Sequence, residues 1–236
     1  IWVEPTITIT ALDDTICDNT ATAITVSSLN NTTNGMRFTW TVTDNPNITG
    51  ELDSDAVGQA MGTDIVQTLD NTSADAQMVT YTITPWSIDN NGDNKCAGTP
   101  FDVDIWVEPT ITITALDDTI CDLGITNISI SSSNITTNPL GVYYTWEVQD
   151  LNNSGDITGY SSNNTGVPIS NIITHTLDNN TDIARMITYQ VTPWTLDNNN
   201  NLKCSGIKTN IDIWINPQPR VIATIIDDTI CNDTRA

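Results

Sequence analysis

The chain repeats itself at a period close to the size of a small domain. Residues 1–18 and residues 105–122 carry the same eighteen letters, IWVEPTITITALDDTICD. A looser copy covers residues 213–232, so the tryptophans near the start of the three copies lie 104 and then 108 residues apart. A fixed internal period indicates a tandem array. A period of this length corresponds to a whole domain rather than to one unit of a solenoid.

The three copies predict the boundaries of the array. We expect residues 1–4 to be the last strand of a preceding repeat, residues 5–108 to form one repeat (unit one) and residues 109–216 a second (unit two). Residues 217–236 are expected to begin a third. Because the chain begins without methionine and in the middle of the pattern, we interpret it as a piece of a longer array.

The connection between the units is short and contains proline. The last strand of unit one leads through Glu108 and Pro109 directly into unit two, without a Gly/Ser linker. Proline restricts its own φ and keeps the preceding residue extended. The sequence therefore predicts domains that are joined end to end with little slack, as a semi-stiff rod.

Short alternating segments fill both units. Residues 6–11 alternate Thr and Ile, and residues 78–84 form the longest clear strand, which Pro85 is expected to close. Trp40 and Trp146 occupy matching positions where a β-sandwich keeps a large core aromatic. Alternation with period two predicts strands with one buried face, and no helical period appears. We predict an all-β chain of tandem immunoglobulin-like antiparallel β-sandwiches.

The charge of the chain excludes some partners. Seven basic residues against 29 acidic ones give a formal net charge of −22. Such a surface attracts cations and repels nucleic acid and anionic membranes. No apolar run approaches the roughly 20 residues that a membrane-spanning helix needs. We expect no nucleic-acid partner and no membrane insertion in this segment.

The five cysteines follow the repeat. Cys17 and Cys96 lie in unit one, Cys121 and Cys204 occupy the matching positions of unit two, and Cys231 opens the third copy. One cysteine pair per domain predicts a disulfide framework formed in an oxidising compartment. The expected partner of Cys231 lies beyond the end of the chain. Free thiols in a cytosolic protein are the alternative.

Several short motifs follow one another in the same order in both units. In unit one they are Thr-Ile-Cys, Phe-Thr-Trp-Thr-Val, Ile-Thr-Gly, Gln-Thr-Leu-Asp-Asn, Val-Thr-Tyr-Thr-Ile-Thr-Pro, Lys-Cys-Ala-Gly-Thr-Pro and Trp-Val-Glu-Pro. This set resembles the PKD-like, immunoglobulin-like repeats of giant Bacteroidota surface adhesins, such as the gliding adhesin SprB and its relatives. The resemblance covers the chain twice, together with the start of a third repeat.

The resemblance implies a location, a secretion route and a disulfide pattern. It implies an extracellular protein at the bacterial cell surface, exported by type IX secretion and built from many such modules. It also implies the disulfides Cys17–Cys96 and Cys121–Cys204. The chain departs from the family pattern after the first cysteine of each unit, where Asp18 and Asp122 replace the common glycine.

Little in the sequence suggests catalysis. The single histidine, His175, occupies the position of Gln67 in unit one, so we interpret it as a surface residue rather than a general base. There is no second histidine for a metal pair and no Gly-rich phosphate loop. Cysteines held in disulfides are not nucleophiles. We expect no enzymatic activity and no required cofactor.

Calcium is the one cofactor that the sequence suggests. Asp89, Asn91 and Asp93 alternate along a loop, which resembles the start of an oxygen cage, although the glycine and distal glutamate of an EF-hand loop are missing. A second candidate is the aspartate pair near each junction: Asp13, Asp14, Asp117 and Asp118. Turn and capping chemistry is the alternative for both sets.

Two further kinds of surface site are possible. Thr15, Thr119 and Thr229 each follow an aspartate and precede an isoleucine, a pattern that resembles the O-glycosylation acceptor of Bacteroidota. A structural role beside the cysteine is the alternative. Trp86 and Trp194 each follow a Thr-Pro pair and are expected to be exposed, where they could bind a ligand or pack on a neighbouring domain.

These observations together predict a structural spacer. We expect stalk modules of a large secreted bacterial adhesin or filament that supports adhesion or gliding. The expected partners are neighbouring repeats of the same long chain, with surface glycans or self-association into filaments as further possibilities. Modules that bind glycans or proteins, and accessory domains of a secreted enzyme, are the alternatives.

Overall fold

The chain is all-β. The structure, a computed structural model, describes residues 3–150 and 155–224. Every regular element in this part of the chain is a strand, which confirms the predicted fold class. Strands β1–β11 lie between residues 14 and 107, and β12–β22 lie between residues 118 and 216. Among the described residues, no helix exists that could cross a bilayer.

The strands of the two units follow the same order. Unit one contains β1 (Asp14–Ile16), β2 (Thr20–Ala21), β3 (Ile24–Thr25), β4 (Met36–Val42), β5 (Ile48–Thr49), β6 (Gln59–Ala60), β7 (Asp64–Ile65), β8 (Thr68–Asn71), β9 (Gln77–Ile88), β10 (Asn94–Ala97) and β11 (Phe101–Val107). Unit two contains β12 (Asp118–Cys121), β13 (Gly124–Ile125), β14 (Ile128–Ser129), β15 (Tyr143–Gln149), β16 (Ile157–Thr158), β17 (Asn163–Pro168), β18 (Ile172–Ile173), β19 (Thr176–Asn179), β20 (Arg185–Leu196), β21 (Leu202–Ser205) and β22 (Thr209–Asn216).

Each unit packs one large sheet against two small ones. In unit one the large sheet runs β1-β11-β9-β4-β6, with β10 also paired to β9, and the small sheets are β2-β8-β5 and β3-β7. Unit two repeats this arrangement as β12-β22-β20-β15-β17 with β21 on β20, and as β13-β19-β16 and β14-β18. Both units are therefore β-sandwiches with the same connectivity.

The core of each sandwich follows from the alternation within its strands. Along β9, Val79, Tyr81 and Ile83 are buried, whereas the threonines between them are only partly covered. Leu69 and Ile65 of the small sheets are fully buried in the same cluster. Complete burial of one such aliphatic side chain contributes about 1.5–3 kcal/mol, so the inward-facing residues of the two layers hold the sandwich together.

Tyrosines rather than tryptophans are the largest fully buried side chains. Tyr81, Tyr144 and Tyr189 are completely covered. Trp40 is buried at 7% exposure, as expected of a core residue. Its counterpart Trp146 is only half-buried and packs against the core cluster of unit two. The predicted core position thus holds a buried tryptophan in unit one and a half-buried tryptophan in unit two.

The predicted first strand, residues 6–11, does not join a sheet ladder. Ile7 is buried, so the alternation reports burial correctly. The backbone, however, makes one isolated bridge, between Thr10 and Ser27, and the Thr8 N–H donates to a side-chain oxygen at 2.8 Å. The edge strand of the large sheet is instead β1, which pairs with β11 in parallel. Side-chain alternation alone cannot reveal which backbone partners a segment has.

Pro85 does not end its strand, contrary to the prediction. β9 continues past it to Ile88, and Pro85 lies opposite Phe38 of β4. Its carbonyl accepts a hydrogen bond of 2.8 Å from the Gly98 N–H. In a strand, the backbone N and O atoms of one residue point to the same side. The position where Pro85 lacks an N–H therefore faces Gly98, on the side of the strand away from β4. The β4 ladder therefore loses no bond.

Candidate functional site at the junction of the two units

A disulfide crosses from unit one to unit two. Cys17 follows the end of β1, and Cys204 lies within β21. The two residues are 187 positions apart in the sequence, and their Cα atoms are 5.5 Å apart. Cys204 is only 5% exposed. The bond is therefore a second covalent connection between the units, in addition to the chain itself.

This pairing shows that the predicted disulfides Cys17–Cys96 and Cys121–Cys204 are wrong. Cys17 follows Ile16, which pairs with Val107, and Val107 lies opposite Gln77 at the start of β9. The Cys96 N–H donates instead to Ser87 Oγ near the other end of β9. Ten residues of strand separate these two ends by about 33 Å. Disulfides need Cα atoms within about 7 Å, so one sandwich cannot bond its own two cysteines.

The remaining described cysteines are free. Cys96 and Cys121 are both exposed and unbonded. Cys231 lies outside the described residues. A shift of the pairing by one repeat leaves the number and the spacing of the cysteines unchanged. The repeat pattern was therefore compatible with both arrangements, and only the position of each cysteine at one end of its sandwich distinguishes them.

Backbone hydrogen bonds also join the units. Asp75 and Ile135 form an isolated parallel bridge. The Ala76 N–H donates to the Ile135 carbonyl at 2.7 Å, and the Ile135 N–H donates to the Ala74 carbonyl at 3.3 Å. Asn134 Nδ2 donates to the same Ala74 carbonyl at 3.0 Å. This short β-type contact fixes the loop before β9 against unit two.

Glu108 is the most buried charged residue of the junction. It is 0% exposed, and the adjacent Pro109 is also buried. Its N–H donates to the Ile16 carbonyl at 2.9 Å. Its carboxylate accepts bonds from the Thr137 N–H at 3.2 and 3.3 Å and from the Thr137 hydroxyl. Burial raises the pKa of Glu108, and the bonds from Thr137 oppose that rise.

Asp18 and Asp122 accept hydrogen bonds that hold the corner after the first cysteine of each unit. The Asn71 N–H donates to Asp18 Oδ1 at 2.8 Å, and the Thr110 hydroxyl of unit two donates to the other oxygen. Buried Asn71 in turn donates to the Val107 carbonyl at 2.9 Å. Asp122 likewise accepts the N–H of the corresponding asparagine of unit two at 2.7 Å. The aspartate thus stabilises the corner from which the next unit begins.

An open cleft of about 840 Å³ lies beside the disulfide. Trp106 and Thr15 line it from unit one, and Lys203 and Asp197 line it from unit two. The Lys203 ammonium donates to the Thr15 carbonyl across the junction. This contact brings the positive charge of Lys203 into the cleft that Asp13 and Asp14 also line.

The aspartate pairs that were candidates for calcium bind backbone amides. Asp13 Oδ1 accepts the Asp104 N–H at 2.9 Å, and Asp117 Oδ1 accepts the Asp212 N–H at 2.8 Å. The neighbouring residues Asp14 and Asp118 each accept the N–H of the following threonine at 2.7 Å. Within residues 3–150 and 155–224, no three His, Cys, Asp or Glu side chains gather in a way that could hold a metal ion.

The loop that contains Asp89, Asn91 and Asp93 is closed by its own hydrogen bonds. Asp89 Oδ1 accepts the Asp93 N–H at 3.0 Å and the Asn91 N–H at 2.8 Å. These bonds lower the pKa of the Asp89 carboxyl. Asp197 closes the equivalent loop of unit two in the same way. The contacts are those of turn chemistry, and calcium binding at these residues stays a prediction.

His175 is not a surface residue, contrary to our interpretation. It is half-buried, with its ring stacked on Tyr189 at an interplanar angle of 17°. Its Nδ1 lies 2.8 Å from the Tyr189 hydroxyl, and burial lowers the pKa of the imidazole. In unit one, Gln67 Oε1 accepts the hydroxyl of the corresponding Tyr81 at 2.8 Å. His175 and Gln67 therefore each form a hydrogen bond with the hydroxyl of a buried tyrosine.

Trp86 and Trp194 are half-buried rather than exposed. Their Nε1 atoms donate to Thr39 and Thr145 hydroxyls at 2.9 and 3.0 Å. Trp194 also lines a shallow depression of about 580 Å³ on unit two, together with Lys208. A ligand-binding role for either tryptophan stays a prediction.

The candidate O-glycosylation sites differ in accessibility. Thr119 is exposed, whereas Thr15 is half-buried at the junction, and Thr229 lies outside the described residues. A glycan would therefore meet less obstruction at Thr119 than at Thr15. Modification at all three residues stays a prediction.

Sequence reasoning missed the residues that join the units across the boundary, namely the pairs Glu108–Thr137, Lys203–Thr15 and Cys17–Cys204. One signal was present. The eighteen identical residues include the Glu-Pro step at Glu4 and Glu108, and each glutamate accepts the N–H of the equivalent threonine, Thr33 or Thr137. That identity pointed to the junction, but not to the partner residues.

Comparisons with solved structures find matches at low sequence identity. The I-band titin fragment I67–I69 is 11% identical with a TM-score of 0.41, and the match covers 92% of this chain and 66% of that chain. The DIP-gamma IG1+IG2 structure is 11% identical with a TM-score of 0.40, at 91% and 99% coverage. The human desmocollin-1 ectodomain is 8% identical with a TM-score of 0.42, at 91% and 42% coverage. This chain thus spans about two thirds of the titin fragment and less than half of the desmocollin ectodomain.

A protein-family model matches both units of the chain. No curated protein matches the chain significantly, but the family model described as a PKD-like domain matches residues 14–111 and again residues 118–219. Such tandem domains are typical of extracellular adhesion or spacer modules and are generally non-catalytic. The disulfide agrees with an extracellular location. Because the two matches cover most of its length, the chain belongs to the PKD-like domain family, as two immunoglobulin-like β-sandwiches in tandem.

Proposed function

We propose that the two PKD-like domains are spacer modules in the stalk of a large secreted bacterial surface adhesin or filament. The stalk would hold a distal adhesive region away from the cell and so support adhesion or gliding. The observation that carries this proposal is the Cys17–Cys204 bond between the units. Export by type IX secretion and attachment to the cell surface belong to the same proposal.

A spacer must resist bending at its joints. Domains that are connected only by a chain usually move relative to each other, unless their interface is extensive. Here the chain crosses at buried Glu108 and Pro109, and the disulfide crosses at a second point. Two separate covalent connections restrict bending and twisting more than one does. The backbone contact between Asp75 and Ile135 adds a third point of attachment.

The surface charge also suits a solvated stalk. The formal net charge of −22 is spread through a chain with only seven basic residues. Like charges on neighbouring stalks repel each other at distances within the Debye length, which is about 8 Å at physiological ionic strength. Such a surface favours separate, hydrated stalks over association with anionic membranes or nucleic acid.

The stiffness of the joint can be measured as a distance distribution between the units. We suggest spin labels on non-natural amino acids at Leu29 of unit one and Ile172 of unit two, which are 106% and 52% exposed. The expected result is one narrow distribution that broadens in the double variant Cys17→Ser and Cys204→Ser. The matched control is Cys96→Ser with Cys121→Ser, which leaves the joint intact. A distribution that is equally broad in all three proteins would contradict the spacer proposal.

A binding role is the second candidate, and the depression beside Trp194 is the feature that favours it. Trp146 and Lys208 line the same surface, which offers an aromatic face and a cation to a glycan or acidic group. Glycan-array signal that disappears in Trp194→Ala, but not in the matched variant Trp86→Ala, would support binding by unit two. An array without signal for the unmodified chain would remove this candidate.

A further inference from the structure

The upstream end of unit two is covered by unit one, while the same end of unit one is open. Cys204 is 5% exposed, whereas its repeat counterpart Cys96 is exposed. Glu108 is 0% exposed, whereas Glu4 is half-buried. Pro109 is buried and the corresponding Pro5 is exposed. The residue types are the same at both ends, so the difference comes from the neighbouring unit alone.

The downstream ends show the reciprocal difference. On unit one, Cys17 is half-buried and bonded, and Ile16 is 8% exposed. On unit two, the counterpart Cys121 is exposed and free, and Ile120 is only half-buried. Each unit therefore carries one half of the junction at each end, and the structure shows one junction assembled.

We propose that Cys96 and Cys121 are the unassembled halves of this same junction. Each accepts a further repeat of the PKD-like family stacked in register, and the bond joins the first cysteine of one repeat to the second cysteine of the next. Cys121 bonds the second cysteine of a following repeat, and Cys96 bonds the first cysteine of a preceding one. This pairing rule goes beyond the spacer proposal, because it holds whatever the array is used for.

Most side chains that assemble the observed junction recur at the open ends; the exception at the downstream end is Asn216, which stands where unit one has Glu108. Thr110 donates to Asp18 at the observed junction, and the open ends carry Thr6 and Asp122 at the equivalent positions. Lys203 meets the Thr15 carbonyl, and the equivalents Lys95 and Thr119 are both exposed.

The positions of the backbone bridge also differ in residue type, since Asp182 and Ile183 of unit two stand where unit one has Ala74 and Asp75. Unit two has Ile135 where unit one has Asn31. Ile135 contacts unit one through its backbone N–H and carbonyl, and its side chain is 63% exposed. An asparagine backbone makes the same two bonds, so the open end of unit one keeps this contact as well.

The bond forms by thiol–disulfide exchange with a disulfide oxidant, RSSR, such as oxidised glutathione. The Cys121 thiolate attacks RSSR and releases one RS⁻, which takes up a proton. The thiolate of the second cysteine of the next repeat then attacks the mixed disulfide at the Cys121 sulfur and releases the second RS⁻. Two thiols are oxidised to one disulfide, and RSSR is reduced to two RSH.

A concatenated chain tests the rule directly. Residues 1–212 are joined to a complete second copy, so that the second Ile1 takes the place of Ile213 and the repeat stays in register. Cys96→Ser in the first copy, and Cys121→Ser with Cys231→Ser in the second, leave only one pair to be tested. After oxidation with oxidised glutathione, mass spectrometry of the monomer should find Cys121 of the first copy bonded to Cys96 of the second. Both Cys17–Cys204 bonds should also be found.

The matched control adds Cys96→Ser in the second copy. In this control, Cys121 of the first copy should be found as a thiol alkylated by iodoacetamide or as a mixed disulfide with glutathione, whereas in the test chain it should be found as neither. The proposal is overturned if both Cys17–Cys204 bonds form while the two cysteines of the test pair are found alkylated or glutathionylated, or if Cys121 bonds another cysteine. A flexible joint in the distance measurements would count against the spacer role and would leave this disulfide result unaffected.

Discussion

Glu108 and Thr137 meet inside the junction, where the glutamate is fully buried and its carboxylate accepts bonds from the threonine N–H and hydroxyl. Burial raises the pKa of Glu108 above its ordinary value of 4.5. The charged carboxylate is therefore more costly in the folded protein than in the unfolded chain. We expect Glu108→Gln to raise the free energy of unfolding at pH 7, because the amide still accepts a bond from Thr137 without carrying charge.

The stability difference between the wild type and Glu108→Gln should depend on pH. Because the folded pKa lies above the unfolded one, the cost of the charge is absent below pH 4.5, grows as the pH rises, and is complete above the folded pKa. Wild type and Glu108→Gln should therefore have similar stability in acid and should diverge towards pH 7 in urea titrations. Glu4→Gln, at the half-buried equivalent position, should change stability less. A constant difference at all pH values would contradict this account.

The disulfide between the units should contribute measurably to stability. Removing it with Cys17→Ser and Cys204→Ser frees a closed loop that spans 187 positions. We expect the free energy of unfolding to fall by about 2–4 kcal/mol in denaturant titrations under non-reducing conditions. Cys96→Ser with Cys121→Ser should leave the midpoint unchanged. A reducing agent should lower the midpoint of the wild type but not that of the Cys17→Ser, Cys204→Ser variant.

His175 and Gln67 perform the same structural task, which can be tested by exchange. His175→Gln should change the free energy of unfolding by less than about 0.5 kcal/mol, because the twin domain uses this residue. His175→Ala leaves the buried Tyr189 hydroxyl without its partner and should cost about 1–3 kcal/mol in thermal or urea unfolding. Equal losses in both variants would show that the ring packing, and not the hydrogen bond, is what matters.

The histidine should also introduce a pH dependence that the glutamine lacks. Burial lowers the pKa of His175 below its ordinary value of 6.5. The contribution of the neutral ring is complete above pH 6.5 and is lost as the pH falls through the lowered folded pKa. Urea titrations between pH 7.5 and pH 5 should therefore show the stability of the wild type falling relative to that of His175→Gln.

A close backbone contact makes Gly206 sensitive to substitution. A Cβ atom at this position would lie 2.2 Å from the Ile111 carbonyl oxygen, while the neighbouring Ile207 N–H donates to that same carbonyl at 2.9 Å. We expect Gly206→Ala to cost about 1–3 kcal/mol in urea unfolding, because the backbone must shift. Ser205→Ala is the matched control, since Ser205 is exposed and Ala97 occupies its position in unit one.

The two open cysteines should be chemically accessible in the folded chain. Cys96 and Cys121 are exposed, while Cys204 is buried in its disulfide. Iodoacetamide added without denaturant should modify Cys96 and Cys121 and leave the Cys17–Cys204 peptide intact in non-reducing peptide mapping. Protection of Cys96 or Cys121 in the isolated chain would mean that these ends are already covered.

Much of the fold could be predicted from the sequence because the relevant signals are local. The alternation of Val79, Tyr81 and Ile83 with threonines follows directly from the geometry of a strand. The same signal predicted burial correctly at Ile7. It failed for the ladder of residues 6–11 and for the end of β9 at Pro85, because both depend on which backbone partner lies on each side.

The sequence alone determined that the chain is a tandem array of β-sandwiches with a short proline joint, since these features depend on internal repetition and on period-two alternation. Only the tertiary structure decided which cysteines meet. A cysteine pair is selected by distance in space, and β9 places Cys17 and Cys96 at opposite ends of one sandwich. The eighteen identical residues indicated the junction, and the packing of unit two against unit one decided that Cys17 bonds Cys204 and that Glu108 is buried.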